Sequence, residues 1–156
     1  MTEVDKLSSD ELAQATRRMV VIHRHRKRLY LYKRPSDSPM FARIDAFEIA
    51  IGAIGHRTPG GMWIIQRKAL NPDWTVPDSK WAIDAGLVPG TTFKGDDPTN
   101  PIKVAFLDIW DGVGIHGTSD IGSLGKAASH GCIRMKPINA LEVYHKTPVG
   151  TPCYVT

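Results

Sequence analysis

The sequence predicts a mostly β protein, a β-rich α+β domain with a short N-terminal helix and a second helix late in the chain. Its 14 Gly and 11 Pro are spread along 156 residues, which is typical of short strands joined by turns. Short runs of β-branched and aromatic residues recur between those turns. The length fits one compact domain with its own hydrophobic core.

The N-terminal helix is predicted from a capping box. Ser8 can accept a hydrogen bond from the amide three residues on, and Glu11 stands where its side chain can return the bond. We expect residues 1–18 to form a helical extension and residues 19–156 to form the main domain.

Strand-like runs follow the extension. A hairpin is expected from residues 19–22 and 29–32, and further strands from 41–51, 63–65 and 151–156. Residues 104–110 form the strongest strand pattern, and a tight turn at Asp111-Gly112 leads into a partner strand that ends at His116.

Two other segments complete the expected architecture. Pro137 can occupy the first turn of a helix over residues 136–146, in which Ile138, Leu141 and His145 share a face. Residues 69–103 are rich in Pro, Asp, Asn and Gly but contain Trp74 and Trp81. A long segment of this kind in a compact domain is usually functional or disordered. The tryptophans favour an ordered excursion that lies over a binding cleft, with both side chains as anchors.

The charge pattern restricts the partners. The net charge is +4, with basic residues densest at Arg24, Arg26, Lys27 and Arg28. This cluster is either a solvated turn or an attraction to an anionic surface such as a cell envelope. No aromatic residues are interleaved with it, so we expect no nucleic-acid partner. No apolar run is long enough to span a membrane, and residues 1–10 lack the apolar segment of a signal peptide.

The two cysteines have different surroundings and do not form a disulfide framework. Cys153 lies in a strand-like terminal segment and is predicted to be a small buried apolar residue. Cys132 lies between Gly131 and Ile133, directly after His130. We interpret Cys132 as a nucleophile.

A thiol needs a base or a stabilised thiolate to react, and an imidazole suits that role. His116 and His130 are the candidates, and His116 at a strand end can face Cys132 if the intervening loop returns. The amide of Cys132 and its neighbours can donate to an oxyanion. A zinc site would need His116, His130, Cys132 and Cys153, but their spacing matches no finger or ribbon. We expect no metal and no cofactor.

These residues carry a family resemblance. His116-Gly117-Thr118 followed by the run from Ser129 to Met135, Ser-His-Gly-Cys-Ile-Arg-Met, resembles the catalytic signature of YkuD-type L,D-transpeptidases. Segments 29–32, 71–74, 100–102 and 149–152 also fall in the family's order. The resemblance covers about residues 19–156 and implies a YkuD-like β-sandwich or barrel.

The resemblance implies acyl transfer on peptidoglycan stem peptides. Cys132 would form a thioester with a stem tetrapeptide, His116 would serve as its base, and the backbone carbonyl of Gly117 would orient the imidazole. The residues expected to bind substrate are Ser129, His130, Gly131 and Arg134. The expected location is the periplasm or cell envelope.

Several points stay open at this stage. The acceptor can be a stem-peptide amine, a lipoprotein lysine or water, so an L,D-carboxypeptidase is an alternative, as is a non-catalytic peptidoglycan-binding module. The oligomeric state is not predicted. Two features differ from parts of the family. The segment 56–61 is shorter than in many members, which bears on substrate binding. Arg134 follows the branch of the family with Arg rather than Asn after the nucleophile, which bears on acceptor preference.

Overall fold

The computed structural model describes residues 2–156 and contains two principal β-sheets around one core. Within this range the strands are β1 (Arg18–His23), β2 (Arg28–Lys33), β3 (Ala42–Glu48), β4 (Ile51–Gly52), β5 (Gly61–Ile64), β6 (Arg67–Leu70), β7 (Trp74–Thr75), β8 (Thr92–Phe93), β9 (Lys103–Trp110), β10 (Val113–Gly117), β11 (Ala127–Ser129), β12 (Ile133–Met135) and β13 (Pro152–Val155). The α-helices are α1 (Ser9–Ala15), α2 (Lys80–Asp84) and α3 (Pro137–Lys146). The predicted mostly β fold with an early and a late helix is confirmed.

The first sheet has the strand order β3-β2-β1-β13-β5. β1 and β2 form the expected antiparallel hairpin, with Val20 opposite Leu31, and the basic cluster lies at its turn. The C-terminal strand β13 runs parallel to β1. The chain therefore closes on its own first strand.

The second sheet has the order β12-β10-β9-β6 and carries the candidate site. β9 and β10 are antiparallel and are joined by Asp111 and Gly112, whose φ angles are 42° and 79°. Positive φ at both central residues is the geometry of the tight hairpin turn predicted there. β12 then pairs parallel to β10.

Both sheets contribute to one core because alternate residues of each strand point inward. Its members are buried side chains from β1, β2, β9, β10, β12, β13 and α3, among them Val20, Ile22, Leu29, Leu31, Leu107, Ile109, Ile115, Ile133, Val143 and Cys153. Cys153 is fully buried, as predicted.

Helix α3 turns one of its faces to the core. Ala140 and Val143 are fully buried, whereas Ile138 is 71% exposed. The face shared by Ile138, Leu141 and His145 is therefore not the buried one. Through its buried face, α3 packs against β9 and β10.

The other helices and short strands are set by local chemistry. α1 begins with the predicted capping box: the Ser8 hydroxyl accepts from the Glu11 amide at 3.1 Å, and the Ser8 amide donates to the Glu11 carboxylate at 3.1 Å. The excursion over residues 69–103 is ordered by β6, by a β7–β8 pair and by α2. None of the helices in residues 2–156 has the length and apolarity to cross a bilayer.

Candidate active site

The candidate site lies on the face of the second sheet that points away from the core. In the β10–β12 ladder, Ile115 pairs with Ile133 and His116 pairs with Arg134. Ile115 and Ile133 are fully buried in the core, so His116 and Arg134 point to the opposite face. Cys132 directly precedes Ile133 and therefore belongs to the same face as His116. Diagonal neighbours of this kind have Cα atoms about 8 Å apart, a span that an imidazole and a thiol can cross.

The thiol of Cys132 lies against the start of β10. Its Sγ is 3.6 Å from the carbonyl oxygen of Gly112, to which the S–H can donate. Burial raises the pKa of the Cys132 thiol, while a contact with the Gly114 backbone and the positive charge of Arg134 lower it. Burial is the largest of these effects, so the thiol is neutral at rest.

Gly114 makes room for this arrangement. A Cβ at Gly114 would lie 2.5 Å from a ring carbon of Phe106 and 2.6 Å from the Leu107 carbonyl oxygen. No side chain larger than hydrogen fits there without a backbone shift. The ring of Phe106 also lies nearly parallel to that of His116, with centroids 6.3 Å apart.

The imidazole of His116 is held in one tautomer and kept neutral. Its Nδ1 lies 2.8 Å from the carbonyl oxygen of Gly117, which can only accept, so Nδ1 carries the proton. Burial lowers the pKa of His116 from 6.5 to about 4, although the bond to Gly117 partly opposes the change. Nε2 is thus the free, unprotonated nitrogen at neutral pH.

The loop that leads to Cys132 is braced by the hydroxyl of Ser129. This hydroxyl accepts from the Gly131 amide at 3.1 Å and donates to the Cys132 carbonyl oxygen at 2.5 Å. Ser129 is only 2% exposed. Gly131 has φ +124°, a conformation that side chains rarely adopt, so glycine is needed at this point of the turn.

His130 lies at the surface of the site, under the excursion. Its ring stacks on Trp81 of α2 with centroids 3.9 Å apart and planes 8° from parallel, and His56 meets it edge-on at 5.0 Å. Burial, together with the charges of His56 and Arg134, lowers the pKa of His130. The excursion thus reaches the candidate site, as the sequence suggested.

Arg134 is the cation of the site. Its Nη1 lies 3.6 Å from an oxygen of Asp120, and its side chain is 22% exposed. Among residues 2–156 this long contact is the ion pair that Arg134 makes, and it leaves guanidinium donors available for another carboxylate. On the same sheet face, Arg67 binds the mostly buried Asp108 at 2.9 Å.

The structure brings the predicted residues together and adds others. Cys132, His116 and Arg134 lie on one face of the second sheet, and Ser129, His130 and Gly131 form the loop beside it. Gly117 follows His116 in β10 and reaches its ring through the backbone carbonyl. The sequence predicted Trp81 as a loop anchor and gave no site role to His56 or to Thr58, whose hydroxyl bonds to Gly131. The short segment 56–61 was the only signal for Thr58. Across residues 2–156, no group of three or more His, Cys, Asp or Glu side chains is placed to hold a metal ion.

A thiol and a carbonyl-oriented imidazole thus lie on the same outer face of one sheet, and these are the two groups that a cysteine nucleophile and its base require. The family profile described as the L,D-transpeptidase catalytic domain, YkuD, matches residues 17–155. The chain belongs to the YkuD family of L,D-transpeptidases.

Curated relatives agree with this assignment. The chain is 31% identical over 145 residues to the probable L,D-transpeptidase ErfK/SrfK of Escherichia coli K12, covering 90% of this chain and 44% of that protein. It is 29% identical over 116 residues to the putative L,D-transpeptidase YqjB of Bacillus subtilis, covering 70% and 58%. The chain therefore spans about half the length of the curated relatives it matches.

Solved structures share the fold. An L,D-transpeptidase from Mycobacterium smegmatis superposes with a TM-score of 0.67 at 20% identity, covering 90% of this chain and 58% of that one. L,D-transpeptidase 3 from Mycobacterium tuberculosis, in complex with a faropenem-derived adduct, gives 0.66 at 16% identity, covering 90% and 60%. At these identities the likeness concerns the fold.

Proposed function

We propose that this chain is the catalytic domain of a peptidoglycan L,D-transpeptidase that works through a Cys132 thioester. The supporting observation is that His116, with Nδ1 bound to Gly117, presents an unprotonated Nε2 on the sheet face that carries the neutral thiol of Cys132. A neutral pair of this kind suits general-base activation at the moment of attack.

In the first half-reaction, the Cys132 sulfur attacks the carbonyl of the L,D-peptide bond that precedes the terminal D-alanine of a stem tetrapeptide. The thiol proton passes to Nε2 of His116, and the carbonyl oxygen becomes an oxyanion beside the Cys132 amide. The carbon–nitrogen bond then breaks. His116 returns the proton to the leaving amine, and D-alanine departs, leaving a thioester.

In the second half-reaction, an acceptor amine attacks the thioester carbonyl. His116 takes a proton from the amine and gives one back to the departing sulfur, which restores the neutral pair. The Gly117 carbonyl stabilises the imidazolium formed in each half-reaction, because Nδ1–H donates more strongly when the ring is charged.

The surrounding residues suit a peptide substrate with free carboxylates. Arg134 has unused donors for a substrate carboxylate. We assign His130 and Gly131 to the substrate-facing loop, and Ser129 to holding that loop in shape through its two backbone bonds. We place the reaction at the cell envelope, and we regard residues 1–18 as an extension to a catalytic domain formed by 19–156.

Product analysis tests the proposal and separates the acceptors. The protein is incubated with disaccharide tetrapeptide, and the products are separated and weighed by mass spectrometry. A transpeptidase gives cross-linked dimers, whereas exclusive release of tripeptide identifies a carboxypeptidase. Binding to sacculi with no product under reducing conditions identifies a non-catalytic module and contradicts the proposal.

A further inference from the structure

The hydroxyl of Thr58 connects two backbone groups across the base of the candidate site. Thr58 Oγ1 lies 2.9 Å from the Gly52 amide nitrogen and 2.7 Å from the Gly131 carbonyl oxygen. An amide can only donate and a carbonyl can only accept, so the hydroxyl accepts from Gly52 and donates to Gly131. Thr58 is 1% exposed, so water does not compete for these bonds.

The bond to Gly131 fixes a peptide unit that matters for the chemistry. The Gly131 carbonyl and the Cys132 N–H belong to the same trans peptide, in which the two groups point in opposite directions. Anchoring the carbonyl on Thr58 therefore turns the Cys132 N–H away from Thr58. Gly131, at φ +124°, gives this peptide more rotational freedom than another residue would, so an external anchor is needed.

Three backbone groups next to the Cys132 amide are already engaged in hydrogen bonds. The Ser129 hydroxyl accepts a hydrogen bond from the Gly131 amide and donates one to the Cys132 carbonyl. The Thr58 hydroxyl donates to the Gly131 carbonyl. Within residues 2–156, the Cys132 N–H has no hydrogen-bond acceptor. A free N–H next to the nucleophile is the donor that an oxyanion needs.

Thr58 is itself held from two sides. Arg24 donates through Nη1 to the Thr58 carbonyl at 3.0 Å and through Nε to the Thr156 carbonyl at 3.2 Å. On the other side, the segment that leads to Thr58 folds tightly over Gly52, where a Cβ would lie 2.0 Å from the His56 carbonyl oxygen. The hydroxyl is thus attached to a fixed part of the fold rather than to a loop that can follow the turn.

We infer that Thr58 is a positioning residue, whose hydroxyl orients the Gly131–Cys132 peptide so that the Cys132 N–H serves as an oxyanion donor. The inference rests on the proposed acyl transfer at Cys132. The short segment 56–61 thereby contributes to transition-state stabilisation. It does so by orienting the Gly131–Cys132 backbone and does not contact the substrate. Thr58→Val is the informative change because it keeps the shape and removes the hydroxyl.

The test compares two reactions of the same thiol. Acylation by a carbapenem passes through an oxyanion, whereas alkylation by iodoacetamide does not. We expect Thr58→Val to slow acylation by about 10- to 100-fold, the loss expected for a misplaced donor, while alkylation stays within about 3-fold of wild type. Thr58→Ser, which keeps the hydroxyl, should restore acylation to within about 3-fold of wild type.

Thr58→Ala provides a second hydroxyl-free variant if Thr58→Val does not fold, as judged by thermal melting. Equal loss of acylation and alkylation, or no loss in either, overturns the inference, as does unfolding of both hydroxyl-free variants. Failure of the wild type to acylate while it still alkylates contradicts the proposed function itself, and the inference falls with it.

Discussion

Nδ1 of His116 lies 2.8 Å from the carbonyl oxygen of Gly117, the next residue in the chain. In the mechanism proposed here, this contact takes the place of the carboxylate or amide side chain that orients the base in many nucleophile–histidine pairs. A backbone carbonyl oxygen accepts the hydrogen bond from Nδ1–H but, unlike a carboxylate, carries no full negative charge. The contact therefore fixes the tautomer of His116 without placing an anion beside the ring. Burial then keeps the ring neutral.

The first prediction concerns the pH dependence of acylation. Because burial lowers the pKa of His116 to about 4, this proposed base stays unprotonated through mildly acidic pH. The second-order rate constant for acylation should therefore fall only below about pH 5. Stopped-flow measurement from pH 4 to 8 checks this. His130→Gln is the control, and its acylation rate constant should fall over the same acidic pH range as that of wild type. If the wild-type rate constant is half-maximal at or above pH 6.5, the proposal of a buried neutral base is contradicted.

The second prediction concerns stability. As the pH falls, the unfolded chain protonates His116 near 6.5, whereas the folded chain resists protonation until about 4. The free energy of unfolding should therefore decrease as the pH falls through this window, by about 3 kcal/mol at most from this residue. Urea titrations at pH 7 and pH 4 should show a smaller decrease for His116→Gln than for wild type. Equal decreases would show that His116 is not the group responsible.

The third prediction concerns Gly117, whose carbonyl accepts the hydrogen bond from His116 Nδ1. A Cβ there would lie 2.3 Å from the Lys103 carbonyl oxygen and 3.0 Å from the Cα of Pro137, both backbone atoms. Gly117→Ala should destabilise the fold by about 1–3 kcal/mol or more and should displace the imidazole, lowering the acylation rate. At Gly122 the nearest atom to a new Cβ is 3.8 Å away, so Gly122→Ala is the matched control. The melting temperature and the acylation rate are measured for both variants. If Gly117→Ala matches Gly122→Ala in both quantities, the packing argument is contradicted.

The fourth prediction separates two effects of Arg134. Its charge lowers the pKa of the Cys132 thiol, and its planar donors suit a carboxylate. Arg134→Gln should move the alkylation profile of Cys132 to higher pH and raise KM for the tetrapeptide by about 10-fold or more. Arg134→Lys should keep the wild-type pH profile of Cys132 alkylation, but its KM for the tetrapeptide should stay raised. If Lys restores both quantities, charge alone is sufficient and the bidentate role is wrong.

The sequence predicted the elements with strong patterns and missed those that depend on partners. The capping box at Ser8, the hairpin around Asp111-Gly112 and the helix start at Pro137 each depend on residues close in sequence, and each was confirmed. The short strands β11 and β12 have three residues each, too few for a periodic signal, and they exist because β4 and β10 pair with them.

The same distinction applies to the site. The motif around Cys132 and His116 is visible in the sequence because its residue types are unusual together. Thr58 and Trp81 are ordinary residues in sequence terms, and they join the site only through contacts with Gly131 and His130. Contacts between segments so far apart along the chain leave no local pattern.

The central claim is that Cys132 forms the acyl-enzyme, and the intact mass of the protein after reaction with a carbapenem tests it most directly. Cys153 supplies the control, since it is fully buried and burial raises the pKa of its thiol to about 12. We predict one adduct on the wild type and on Cys153→Ala, and none on Cys132→Ala. An adduct of the same mass on Cys132→Ala would contradict the account.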